Sequence, residues 1–78
     1  MPTHTDEMTV LRYVVKYHKA NGMVPTVREI RDQFGWAGTA PAVLRLQKLI
    51  RKGYLTSANG RARAHVLTEA GKRAGRVT

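Results

Sequence analysis

Apolar residues recur at helical spacing from Asp6 to Ala20, where Met8, Leu11, Val15 and His18 share one face, so the pattern predicts a first helix. Thr5 is placed to cap it, Asp6 and Glu7 suit the positive end of its dipole, and Gly22 ends it. Pro25 disfavours helix at Val24, and Thr26-Val27-Arg28-Glu29 matches a capping box. A second helix is therefore expected from Val27 to Phe34, with Val27, Ile30 and Phe34 as its apolar stripe and Gly35 as its terminator. Thr39 is placed to cap a third helix with Pro41 in its first turn, running to Lys52 and stopping at Gly53.

Beyond Gly53, the stretches YLTSA and RARAHVLT flank Asn59-Gly60, the dipeptide suited to a two-residue type I′ turn. A β-hairpin follows. Thr68 then caps a short last helix, Glu69 to Ala74, and residues 75–78 are expected to form a disordered basic tail. Three helices followed by a hairpin give a mainly α fold with a β-hairpin wing: a winged helix-turn-helix, with a three-helix core and a short C-terminal helix, in one domain over residues 1–78.

Setting Ala42 at zero and advancing about 100° per residue divides the third helix. Val43, Leu46, Leu49 and Ile50 fall within about 100° of Ala42 and make the expected buried stripe. Leu44 points roughly 160° from the centre of that stripe, on a face shared with Ala40, Gln47, Lys48 and Arg51. On this outward face Leu44 suits thymine methyl groups, Gln47 an adenine edge, and Lys48 and Arg51 guanine or phosphate. Trp36 is expected to plug the core where the second and third helices cross, and Tyr13 and Tyr17 to be half-buried helix residues.

The two-residue turn sets a register in which Leu55 opposes Ala64, Thr56 opposes Arg63 and Tyr54 opposes His65. Leu55, Ala64 and Val66 then face the helices, while Arg61 and Arg63 project together from the other side. Two neighbouring like charges add nothing to a hairpin, but they fit a phosphate backbone or a narrow minor groove.

Charge sharpens this picture. Among 78 residues, 14 Lys and Arg against 5 Asp and Glu give a net +9. Residues 1–37 are nearly balanced, with five basic and four acidic side chains; residues 38–78 hold nine basic residues and one acid, Glu69. The excess thus follows the third helix and the wing, as a polyanion-binding face requires. The chain has no cysteine, and His4, His18 and His65 are far apart in sequence. No catalytic constellation, metal site, glycine-rich phosphate loop or cofactor is indicated, and no small-molecule ligand. Neither a membrane span nor a leader is evident, so a cytoplasmic, nucleoid-associated protein is expected.

The spacing of Gly22, Pro25, Thr26, Glu29 and Ile30, then Leu46, Leu49, Lys52 and Gly53, then Gly60, Arg63, Ala64 and Leu67 resembles the N-terminal DNA-binding domain of the LexA repressors. The likeness runs from Met8 to Leu67. It implies a three-helix winged domain that reads duplex DNA as a transcriptional regulator. LexA repressors continue into a self-cleaving, dimerising protease domain that has no counterpart in these residues, so neither self-cleavage nor the family's dimer is expected. Gly38 to Leu44 replaces a polar run of the family, so its operator is not carried over. A stand-alone bacterial or phage repressor, monomeric or weakly paired on DNA, is the resulting expectation. Its proposed contacts are Arg28, Thr39, Ala40, Leu44, Gln47, Lys48, Arg51, Arg61 and Arg63. The competing expectation is a winged-helix module that binds an acidic protein partner, anchored by Leu44.

Overall fold

The second helix forms where its boundary signals lie. In the computed structural model, which describes residues 6–56 and 65–75, α2 spans Val27–Phe34. Thr26 Oγ1 accepts from Glu29 N at 3.1 Å, and Thr26 N donates to the Glu29 carboxylate at 2.8 Å, completing the capping box. Gly35 closes the helix with φ at 70°, in the left-handed region that favours glycine.

The first helix, α1 (Glu7–Asn21), starts one residue later than the sequence pattern predicts. Its cap is Asp6, whose carboxylate accepts from Thr9 N at 2.9 Å. An aspartate directly before the first turn supplies both the acceptor and the charge that a helix start favours. The expected cap, Thr5, lies outside the described residues. The buried residues of α1 are Val10, Leu11 and Val14, while Met8, Val15 and His18 are only half-buried, so the stripe is rotated from the expected one.

The third helix, α3, runs Ala40–Arg51 with Lys52 as its C-cap. Thr39 occupies the N-cap position but makes no side-chain capping bond, because its backbone is already helical (φ −87°, ψ −13°). That corrects its assignment as a capping side chain. Ala42, Leu46 and Leu49 are buried as expected, but Val43 is 37% exposed. At about 100° from Ala42 it lies on the border of the stripe, and the border falls on the solvent side.

Strands β1 (Leu55–Thr56) and β2 (Val66–Leu67) pair antiparallel, with Leu55 opposite Leu67 and Thr56 opposite Val66. The register is displaced by three residues from the one expected of a two-residue Asn-Gly turn. Val66 consequently faces solvent and Leu67 the core, and Thr68 rather than His65 lies across from Tyr54, its N–H donating to Tyr54 O at 3.1 Å. The cause is at the base of the wing. Leu55 and Leu67 both enter the core, and the single Thr68 hydroxyl proton is shared between Gly53 O (2.7 Å) and Tyr54 O (3.0 Å) while the oxygen accepts from Gly71 N (3.0 Å).

That last bond starts α4 (Glu69–Ala74), which forms over the predicted residues. The helices α1 and α2 pack on α3, with α4 against α1 and β1 against α3. Their common core is Val10, Leu11, Val14, Val24, Ile30, Ala42, Leu46, Leu49, Leu55 and Leu67. Two polar ties complete it: Tyr17 Oη donates to Glu29 at 2.7 Å between α1 and α2, and Lys52 Nζ donates to Glu7 at 2.8 Å between α3 and the start of α1.

Candidate nucleic-acid interface

Because Ala42, Leu46 and Leu49 hold one side of α3 against the core, the opposite side is presented outward. Ala40, Leu44, Gln47, Lys48 and Arg51 are all exposed on it, as the angular reading predicted. This face is divided along its length. Its N-terminal half carries Ala40 and Leu44, with Val43 at the margin; its C-terminal half carries Gln47, Lys48 and Arg51. No acidic residue occurs in α3.

The cations near this helix divide into occupied and available ones. Lys52 is paired with Glu7; the bond holds the Glu7 carboxyl below its ordinary pKa and raises that of the Lys52 ammonium. Arg45 is turned away from the outward face: its Nη1 donates to Pro41 O at 3.2 Å and its guanidinium lies 5.0 Å from the Trp36 ring centre. Lys48 and Arg51 have no ion-pair partner among the described residues. A polyanion therefore meets their charges without first displacing a carboxylate.

Arg28 is exposed on α2, a separate element from this set. Thr39 is half-buried at the start of α3. Arg61 and Arg63 lie outside the described residues, and the register from which their common facing was argued is not the one that β1 and β2 adopt. His65, half-buried beside β2, has its pKa lowered by desolvation, which favours the neutral ring and makes it a poor partner for phosphate.

Trp36 is packed in the turn before α3, partly buried against the core and stacked on Phe34 at 5.1 Å between ring centres. Phe34 meets Tyr13 edge-on at 5.8 Å. The turn that sets the angle between α2 and α3 is thus filled by aromatic rings. Arg45 was absent from the sequence reading although its place on α3, between the core stripe and the outward face, is readable from its angle. Among the described residues no group of three or more His, Cys, Asp or Glu is placed to hold a metal, and no helix is long and apolar enough to cross a membrane.

The model of the LexA DNA binding domain family matches residues 5–64. The chain belongs to this family. It is similar to curated LexA repressors of several bacteria. The chain is 38% identical to the LexA repressor of Limosilactobacillus fermentum over 65 residues, covering 83% of this chain and 31% of that protein. The LexA repressor of Verrucomicrobium spinosum is 33% identical over 63 residues, with 81% and 31% covered. That of Lactobacillus acidophilus is 35% identical over 68 residues, with 87% and 33% covered. The chain thus spans about a third of the length of the LexA repressors it matches. The three-helix core with a two-stranded hairpin is the winged arrangement expected of a LexA DNA-binding domain.

Proposed function

We propose that the chain is a double-stranded-DNA-binding transcriptional repressor. In this reading α3 enters the major groove and the segment 57–66 meets the flanking backbone or the minor groove. The observation that carries it is the outward face of α3: five exposed side chains, two of them unpaired cations, without an acid on the helix, in a chain of the LexA DNA-binding family. Lys48 and Arg51 take phosphate or guanine, Gln47 an adenine edge, and Arg28, Thr39, Arg61 and Arg63 position the domain on the backbone.

The chain acts by binding, without a catalytic residue, cofactor or metal, as a monomer or a weak dimer on DNA in the bacterial or phage-infected cytoplasm. The competing reading, capture of an acidic protein, draws no support from the LexA relatives. Charge reversal separates the two. The double variants Lys48→Glu with Arg51→Glu, and Arg61→Glu with Arg63→Glu, are each expected to abolish binding to a duplex selected from random sequences. Unchanged duplex affinity in both would contradict the proposal.

A further inference from the structure

We infer that the N-terminal half of α3 selects its site through thymine methyl groups, with Leu44 as the specificity-determining residue and Ala40 and Val43 beside it. The inference rests on the proposal that α3 lies in the major groove, and it goes further by assigning what that groove must present. In a helix-turn-helix the N-terminal residues of the recognition helix meet the base edges. Here those residues offer methyl and methylene groups: Leu44 is 55% exposed and Val43 37%, and Ala40 is exposed one turn before Leu44 on the same face.

Ala40 and Leu44 are about 6 Å apart along the helix, roughly two base-pair steps. On this outward face hydrogen-bonding side chains begin at Gln47, nearly one turn after Leu44, Arg45 being turned away to Pro41 and Trp36. The single feature of the major-groove edge that an aliphatic side chain recognises is the C5-methyl of thymine; facing guanine or cytosine, it covers donors and acceptors without pairing them. The cations of the same face, Lys48 and Arg51, supply the phosphate attraction that brings this patch to a nucleic acid rather than to an apolar protein groove. Two or more thymines are therefore expected where the start of α3 meets the site.

The test uses the 78-residue chain and a duplex selected from random sequences, with each thymine replaced in turn by deoxyuridine, which removes only the methyl. Loss of about fourfold in affinity for each contacted methyl is expected. Leu44→Ala, at an exposed position where folding is retained, is expected to weaken binding to the thymine duplex and to reduce its preference over the uracil duplex. Equal affinity for thymine and uracil duplexes would overturn the inference while leaving DNA binding intact. So would a uracil penalty that persists unchanged in Leu44→Ala. Absence of any duplex binding by the wild-type chain would overturn both this inference and the function on which it rests.

Discussion

The guanidinium of Arg45 lies 5.0 Å from the ring centre of Trp36, and the indole stacks on Phe34. One cation of α3 is thereby committed to the turn that orients α3, while Lys48 and Arg51 remain on the outward face. Positioning and binding are thus carried by different basic residues of one helix.

This separation predicts different phenotypes. Arg45→Ala is expected to lower stability by about 0.5–1 kcal/mol, the worth of a partly exposed cation–π contact, and to leave the salt dependence of DNA binding unchanged. Trp36→Ala is expected to cost about 2 kcal/mol, less than the 3–5 kcal/mol or so of a fully buried tryptophan because this ring is only partly covered. Urea unfolding checks both, through a lowered midpoint at constant slope.

The base of the wing should be sensitive at Thr68 and Gly71. Thr68→Ala removes the cap of α4 and the donated bond shared between Gly53 O and Tyr54 O, so a loss of about 1–2 kcal/mol is expected. A Cβ at Gly71 would collide with the backbone carbonyl oxygen of Tyr54, which Thr68 N also holds. Gly71→Ala is therefore expected to cost about 1–3 kcal/mol by overpacking. Each kcal/mol should appear as a fall of about 4–8 °C in Tm.

Acid should act in two separate windows. Burial lowers the His65 pKa, so between its folded value and the unfolded 6.5 the unfolded chain binds more protons. Stability from the neutral ring is complete above about pH 6.5 and declines as pH falls below it. Glu7, whose pKa is lowered chiefly by the Lys52 hydrogen bond, contributes above its unfolded value and loses that contribution only as pH falls below 4.5. Unfolding measured from pH 8 to 3 should show the upper window vanish in His65→Gln and the lower one in Glu7→Gln.

The sequence revealed the parts of this fold that are locally enforced. Pro25 and the Thr26–Glu29 box fix α2 to the residue, as Thr68 fixes the start of α4. The outward face of α3 was equally readable, since a regular helix carries side-chain direction over its whole length. The register of the hairpin was not. Asn59-Gly60 expresses a local turn preference, whereas the pairing of Leu55 with Leu67 is chosen by a shared core and by the Thr68 hydroxyl, both non-local. Thr39 and Asp6 show the same limit at helix starts: residue type nominates a cap, but backbone geometry decides whether its side chain serves.

Among the proposed contacts, Lys48 and Arg51 should behave as phosphate ligands. Lys48→Ala and Arg51→Ala are each expected to weaken binding similarly on all sequences and to reduce the salt slope by about 0.9. Gln47→Ala is instead expected to relax preference at one base pair, at about 1–3 kcal/mol of discrimination. Parallel titrations on the selected duplex and on single-base variants distinguish the two behaviours.

The central claim, that the acid-free face of α3 and the basic segment after it are built for duplex DNA, is tested most directly by the salt dependence of duplex affinity. With two to five cations on phosphate, the logarithm of the binding constant should fall against that of salt concentration with a slope between about −1.8 and −4.5. A slope indistinguishable from zero would contradict the account.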